Sequence, residues 1–306
     1  MNVRSIVLRA VVLLAVASTA TVATATIQRT FVSGGGNDAN PCTLAQPCRG
    51  FAAALAKTSD KGEVIVLDSA GYGAVTIAQS VAIVAPPGVY AGVSVFSGDG
   101  ININGAGIAV RLRGLTINGQ AAGLGAGIRF VNGAQLLVED CEVAGMDSGI
   151  EASAAGSVVS VKNSLLRNNI NTGFFAHASL VATLEGISAV KNSIGVYASG
   201  AQVTVNNSVL AHNGEAGAGV IASNSTTELF IARSTLSGNA NAFEAVAYTG
   251  GNASIVSDTN AISGNATVFK FLPLSGTTTI FTRGNNSVEY YTTLLDGGVL
   301  TSLGPI

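Results

Sequence analysis

The sequence predicts an all-β fold, a solenoid of the parallel β-helix type. One observation is a repeat: VSVKNSLLRNN, over residues 159–169, returns as VTVNNSVLAHN over residues 203–213. A second is the row length, because rows that open with a glycine and an apolar residue follow at steps of 22 or 24 residues. These rows begin at Gly127, Gly149, Gly173, Gly195 and Gly219. A period of this length indicates a solenoid, and the alternation of apolar and polar residues indicates strands.

Two other solenoids compete with the β-helix and fit less well. A propeller blade needs about 40 residues, which is too long. A leucine-rich repeat has the right length, but it requires a fixed array of leucines and usually a helical segment. Here the apolar positions are mostly Val, Ile and Ala, with glycines where corners are expected.

Stacked coils explain why the repeat recurs. Successive coils lie about 4.8 Å apart, so equivalent residues lie above one another. The valines of the repeat should point into the core, and they are Val159, Val161, Val203 and Val205. Asn163 and Asn207 should lie at equivalent bends, where asparagine tolerates a left-handed backbone. Stacked asparagines can also hydrogen-bond along the column.

The first 25 residues have the features of a secretory signal peptide. Arg4 and Arg9 give a basic start, residues 11–17 are apolar, and Ala23-Thr24-Ala25 is a small-x-small cleavage site. An uncleaved membrane anchor is the alternative, although the apolar run is short for a bilayer. We therefore expect cleavage near Ala25, a secreted or periplasmic destination and no membrane span in the mature chain.

Residues 26–61 should hold an N-terminal strand, a disulfide loop and a capping helix. Cys42 and Cys48 flank a short loop, and a secreted protein permits a disulfide there; two free thiols are the alternative. Cys141 lies in an alternating run and should be a buried, inert thiol. The segment CRGFAAALAKT is predicted to form an amphipathic helix that covers the end of the solenoid through Phe51 and Leu55.

Residues 62–306 should form the β-helix with a C-terminal cap. The short strands at its start are EVIVL, AVTI, VAIV, GVSV and LTI. The final segment, LLDGGVLTSLGPI, should close the other end.

Composition excludes some classes of function. Hydrophobic residues make up 48% of the chain and charged residues 10%, so the chain is not disordered. A net charge of −2 provides no electrostatic basis for binding nucleic acid. No metal site and no cofactor are predicted, and the oligomeric state stays open.

The N-terminal region, followed by β-helix coils, resembles secreted bacterial right-handed parallel β-helix proteins of the pectin lyase-like superfamily. The pattern that carries the resemblance is GNDANPC, residues 36–42, with PCR at residues 47–49. The resemblance implies a right-handed solenoid. It does not imply one activity, because the superfamily holds lyases, hydrolases, esterases, tailspikes and non-catalytic surface proteins.

One candidate site lies on an outer face of the rows. The third position of each row should point outward, and it holds Arg129, Glu151, Phe175, Tyr197 and Ile221. The fifth position holds Val131, Ser153, His177, Ser199 and Ser223. Aromatic rings beside polar groups are typical of a sugar-binding groove, with ligand residues Arg129, Glu151, Phe175, His177, Tyr197 and Ser199. The alternative is that the rings only stiffen the sheet.

A second candidate is a charged column of Glu139, Lys162 and Glu185. Two carboxylates two coils apart would be separated by roughly 9.6 Å, near the upper end of the range for an inverting glycosidase, about 6.5–9.5 Å. The alternative is a structural charge ladder in which Lys162 neutralises both acids.

Two functions follow from these patterns. The favoured one is a non-catalytic secreted β-helix that binds glycans or acts as a surface scaffold. The other is a polysaccharide lyase or glycoside hydrolase with an atypical active site, because the acidic clusters of pectate lyases and polygalacturonases are not evident in the sequence.

Overall fold

The computed structural model describes residues 27–304, and the predicted signal peptide lies outside the described residues. This part of the chain winds as a parallel β-helix of three sheets in which the first strand pairs with the second, and each strand from the second to the 29th pairs with the strand three places later in the chain. No helix within it is long and apolar enough to span a bilayer. The predicted fold class is therefore confirmed.

Sheet A has twelve strands, numbered in chain order. They are β1 (Ile27–Val32), β2 (Thr58–Val66), β5 (Val81–Val84), β8 (Ala109–Arg113), β11 (Gln135–Glu139), β14 (Val158–Lys162), β17 (Val181–Glu185), β20 (Gln202–Asn206), β23 (Thr226–Ala232), β26 (Asn252–Asp258), β29 (Thr277–Thr282) and β32 (Leu300–Ser302).

Sheet B has ten shorter strands. They are β3 (Ala70–Gly71), β6 (Ala91–Val95), β9 (Leu115–Gly119), β12 (Glu142–Ala144), β15 (Leu165–Arg167), β18 (Ser188–Val190), β21 (Val209–Ala211), β24 (Thr235–Ser237), β27 (Ala261–Ser263) and β30 (Ser287–Glu289).

Sheet C also has ten strands and carries the aromatic candidate site. They are β4 (Val75–Ile77), β7 (Ile101–Asn104), β10 (Ala126–Asn132), β13 (Ser148–Ala152), β16 (Thr172–His177), β19 (Ile194–Ser199), β22 (Ala216–Ala222), β25 (Asn241–Ala247), β28 (Thr267–Pro273) and β31 (Thr293–Asp296).

The core forms as the repeat predicts. Val159, Val161, Val203 and Val205 are buried, and larger side chains such as Phe130 fill the interior on neighbouring turns. Alternation places every second residue of a strand inside, so the three sheets enclose a continuous apolar column. This confirms the inward direction expected for the valines.

The two bends after sheet A are equivalent, as expected, but their asparagines do not form a ladder. Asn163 and Asn207 both have a left-handed backbone, with φ of 48° and 50°. Gly186 occupies the turn between them, which interrupts any stack of asparagine side chains. Asn207 instead donates its side-chain amide to Glu185. The expectation of stacking at this bend was wrong.

The second asparagine of the repeat forms the ladder. Five buried asparagines stack on successive turns between sheets B and C, and this asparagine ladder comprises Asn169, Asn192, Asn213, Asn239 and Asn265. The side-chain amide of each of the first four donates to the side-chain oxygen of the next asparagine at 2.9–3.2 Å. A buried polar group without a partner is costly, and here every turn supplies the partner for the one before.

Three of the row-opening glycines, Gly149, Gly173 and Gly195, are required because the ladder packs against them. A Cβ added at Gly195 would lie 2.5 Å from the carbonyl oxygen of Gly217 and 3.0 Å from the side-chain nitrogen of Asn213. A Cβ at Gly173, one turn earlier, would meet the equivalent two atoms of its own neighbouring turn, at 2.6 and 3.1 Å. The glycine signal in the sequence therefore reports a close approach between turns.

The predicted helix is shorter than expected. It spans only α1 (Phe51–Leu55), with Phe51 and Leu55 buried against the first turn. Strand β2 begins at Thr58, whose hydroxyl lies 2.8 Å from that of Thr30 in β1. Pairing within sheet A thus ends the helix, although the alanines of this segment favour a longer one. Its role as a cap, like that of the C-terminal segment that forms β31 and β32, stays a prediction.

The cysteine predictions are confirmed. Cys42 and Cys48 form a disulfide with Cα atoms 4.7 Å apart, and both residues are buried. The neighbouring Asp38 accepts hydrogen bonds from the backbone amides of Arg49 and Gly50 at 2.8 and 2.9 Å, just before α1. The motif that carries the family resemblance is therefore a structural device.

We predict that the folded protein has no reactive thiol. Burial raises the pKa of Cys141 to about 12, so its thiolate is scarce at pH 8, and the other two cysteines are bonded. Labelling with a maleimide under non-reducing conditions at pH 8 should modify no cysteine in the native state and one after denaturation. Two or more equivalents of native labelling would contradict the disulfide.

Candidate functional site

The outer face of sheet C brings the third-position residues together. Arg129 pairs in register with Glu151, Glu151 with Phe175, and Phe175 with Tyr197. We call these four residues, in successive strands, the strand column. Strand spacing places neighbouring members about 4.8 Å apart.

The row alignment fails at the next turn. Tyr197 pairs with Gly219, and Ile221 pairs with Ser199, so Ile221 does not follow Tyr197 and Ser223 does not follow Ser199. The row AGAGVIA has two glycines, and Gly217 is the one that meets the ladder, because a Cβ there would lie 2.9 Å from the side-chain nitrogen of Asn239. The register therefore shifts by two residues from the predicted alignment.

Three rings are stacked on the outer face of sheet C, those of Phe175 and Tyr197 in the strand column and that of His177 beside them. The ring centroids of Phe175 and Tyr197 lie 5.5 Å apart with an interplanar angle of 28°. Those of Phe175 and His177 lie 4.8 Å apart at 26°. The three rings are half-buried, so they form a strip with accessible apolar surface.

Glycine makes room for the last ring. A Cβ added at Gly219 would lie 3.0 Å from Cδ2 of Tyr197 and 3.1 Å from Cε2. The ring of Tyr197 therefore lies over the backbone of the next turn. Burial, and then the charges of Glu244 and Glu215, raise the pKa of the Tyr197 hydroxyl above its ordinary value, so this hydroxyl stays protonated and can donate a hydrogen bond.

Charged groups flank the strip on the side of Arg129. The Arg129 guanidinium contacts Asp99 and Glu151, each at 2.8 Å. The same oxygen of Glu151 lies 3.1 Å from Nε2 of His177. Glu151 is only 16% exposed, and its carboxylate is held in place by two partners, Arg129 and His177.

A row of polar side chains runs parallel to the strip at the bend before sheet C. We call Asp147, Asn171, Ser193 and Glu215 the bend column, because they precede paired residues of β13, β16, β19 and β22. Asn171 donates to Asp147 at 2.7 Å, and Ser193 donates to Glu215 at 3.3 Å.

A cleft of about 290 Å³ lies between the two columns. Its lining residues are Asp147, Ser148, Glu151, Asn171, Thr172, Phe175, Ser193, Ile194, Tyr197 and Glu215. It crosses four turns, a length of about 14 Å. Ser199 is outside the cleft: it lies two residues after Tyr197 in β19 and pairs in register with His177.

Sequence reasoning identified Glu151 but missed the other two acids that line this cleft, Asp147 and Glu215. Asp147 and Glu215 stand in the bends, and the bends have no alternation that would reveal their direction. Asp99 comes from a turn before β7, and Glu244 is aligned with Gly219 only in the true register. Gly217 followed by Ala218, an apolar residue, is the one signal from which that register could have been read.

The second candidate column is in register on sheet A, but its contacts differ from the expected ones. Glu139 pairs with Lys162, and Lys162 with Glu185. The ion pair of Glu139 is formed with Arg111, at 2.6 Å. Lys162 is exposed, and Glu185 accepts from Asn207. Lys162 therefore forms an ion pair with neither acid, and the expectation that it neutralises both was wrong.

The family follows from comparison with known proteins. The model of the right-handed β-helix region matches residues 99–266, more than half of the chain, so the chain belongs to this family. Comparison with curated proteins gives no match.

Solved structures share the fold at low identity. Pectate lyase Pel9A has a TM-score of 0.63 at 15% identity, over 90% of this chain and 79% of that one. A rhamnogalacturonan lyase has a TM-score of 0.55 at 13% identity, over 86% and 87%. XylC in complex with xylose has a TM-score of 0.57 at 9% identity, over 79% and 69%. At these identities the likeness concerns the fold alone.

Proposed function

We propose that the protein is a secreted, non-catalytic β-helix protein that binds a polysaccharide in the cleft between the strand column and the bend column. The observation that carries this proposal is the stacked pair of Phe175 and Tyr197 beside a row of hydrogen-bonding side chains. Pyranose rings offer apolar faces that pack on aromatic rings and hydroxyls that need polar partners.

Each side of the cleft supplies one kind of contact. The rings of the strand column provide the apolar floor, and Asn171 and Ser193 provide amide and hydroxyl groups along the other edge. Glu151 and Arg129, held by their ion pair, close the strip with fixed polar groups. A ligand bound along the solenoid axis would contact one polar side chain per turn.

The named neighbours support a saccharide ligand. Two are lyases, of pectate and of rhamnogalacturonan, and a third binds xylose. The Cys42–Cys48 disulfide supports an oxidising destination such as the periplasm or the cell exterior. Surface scaffolding without a ligand is the outcome if no saccharide binds.

Polysaccharide cleavage is the second candidate, and the Glu151–His177 contact favours it. A carboxylate within hydrogen-bond reach of an imidazole is an arrangement that acid–base catalysis uses. Against it, the same carboxylate oxygen also binds Arg129, and the weaker candidates Glu139, Lys162 and Glu185 lie on a different sheet.

A paired binding and turnover screen tests both candidates. The mature protein is applied to a glycan array, and the same polysaccharides are incubated with it and assayed for new reducing ends and for unsaturated products at 235 nm. Binding without either product supports the proposal. Either product above that of a Glu151→Gln variant would establish the enzyme instead.

We predict that filling the space beside Tyr197 weakens binding. Gly219→Ile should displace the ring, because even a Cβ there is 3.0 Å from it, and affinity should fall about tenfold if the ring is an anchor. Isothermal titration with a glycan identified by the array measures the change. Thr204→Ile on the outer face of sheet A is the matched control, and an equal affinity for both variants would contradict a role for the ring.

A further inference from the structure

The charges of the cleft are unbalanced. Three of its ten lining residues are acids, Asp147, Glu151 and Glu215, and none is Lys or Arg. Two cations on sheet C are already bound to acids: Arg129 to Asp99 and Glu151 at 2.8 Å, and Lys270 to Glu244 at 3.4 Å. No lining residue can therefore form an ion pair with an acidic sugar.

Negative charge also extends along the strip. Burial is the main cause that raises the pKa of the Tyr197 hydroxyl, and the carboxylates of Glu244 and Glu215 raise it further, so their field reaches the aromatic floor. Glu244 is buried, which reduces screening by salt. A carboxylate on a sugar stacked over Tyr197 would meet the like charge of Glu215 in the bend column, whereas Lys270 partly offsets the charge of Glu244.

We propose that the cleft selects polysaccharides by charge: it excludes uronic and sulfated chains, accepts neutral ones and prefers chains that carry free amino groups. This rests on the proposed saccharide site, which is carried by the aromatic strip and not by the acids. The acids decide the sign of charge that the strip tolerates. Glu215 and Asp147 are the selecting residues, because they lie at the two ends of the bend column.

The acids that weaken the binding of sugars with carboxylates should strengthen the binding of sugars with amino groups. An ammonium group within hydrogen-bond reach of Glu215 or Asp147 forms a charge-assisted bond, and the faces of Phe175 and Tyr197 attract cations as well. Two unit charges about 4 Å apart in water change affinity about fivefold. Several sugars bound along the cleft multiply this factor.

Two matched polymer pairs test the proposal. Polygalacturonate and its methyl-esterified form share a backbone and differ in negative charge; chitin and chitosan oligosaccharides share a backbone and differ in positive charge. Affinities for the mature protein are measured by titration at about 20 and 200 mM salt, where screening differs several-fold. We expect the methyl-esterified chain to bind at least tenfold more tightly than polygalacturonate, and chitosan more tightly than chitin. Added salt should narrow both differences.

Variants assign the selection to the acids. Glu215→Gln and Asp147→Asn should each narrow the differences about fivefold, while Glu228→Gln, an exposed acid on sheet A, should leave them unchanged. If the parent protein bound polygalacturonate more tightly than its methyl-esterified form, and the Phe175→Ala/Tyr197→Ala variant lost this binding, the charge selection would be overturned. The saccharide site itself would then be supported. Selection unaffected by both acid variants would also overturn it. Failure of all four polymers to bind would overturn the saccharide site and this inference together.

Discussion

Replacing Asn213 with alanine is expected to lower the free energy of unfolding by about 3–5 kcal/mol. Its side-chain oxygen accepts from the backbone and side-chain amides of Asn192, at 3.0 and 3.2 Å. Its amide donates to Ala189 and Asn239, at 3.1 and 2.9 Å. Truncation removes all four bonds at the centre of the ladder and leaves the buried backbone amide of Asn192 without its side-chain partner; one buried group left unsatisfied costs about 1–3 kcal/mol. Urea unfolding followed by circular dichroism measures the change.

Asn207→Gly is the matched control. Asn207 is the other asparagine of the same repeat, it is exposed, and its φ of 50° suits glycine. We expect its free energy of unfolding to change by less than about 1 kcal/mol. Equal costs for the two substitutions would show that the ladder does not hold the turns together.

Removing both aromatic anchors is expected to abolish measurable saccharide binding. Each ring should contribute roughly 2 kcal/mol, so Phe175→Ala or Tyr197→Ala alone should weaken binding by one to two orders of magnitude and the double variant by at least 100-fold. The rings are half-buried on the outer face, so a large loss of stability is not expected. Titration with a glycan identified by the array gives the affinities.

Tyr291→Ala provides the control for a lost aromatic surface. Tyr291 is 44% exposed and follows β30, several turns from the cleft. Its removal should leave affinity and unfolding unchanged. A double variant of Phe175 and Tyr197 that binds like the parent protein would place the saccharide site elsewhere.

The strand column shows how far alternation reaches. Arg129, Glu151, Phe175 and Tyr197 could be aligned from sequence because each follows one glycine and a regular apolar pattern. Gly217 and Gly219 offered two alignments for the next row, and sequence alone favoured the wrong one. The choice depends on which glycine faces the amide of Asn239, and that contact joins residues 22 positions apart.

The ladder shows a second limit. The repeat contains Asn207 and Asn213, and both were visible as recurring asparagines. Stacking was expected at the first because bends favour asparagine, yet the first column is interrupted by Gly186 and the second is continuous and buried. Continuity of a column depends on the residue in every turn, so it cannot be inferred from two copies.

The sequence by itself determined the β-helix, the buried valines, the disulfide and the outward direction of the aromatic residues, because each depends on period-two alternation, on the repeat length or on local spacing. Only the tertiary structure decided the true register after Tyr197, the ladder of Asn213 and the cleft with Asp147 and Glu215. These depend on contacts between turns, where residues more than 20 positions apart stack at strand spacing. Bends have no periodicity, so nothing in the local pattern states which way their side chains point.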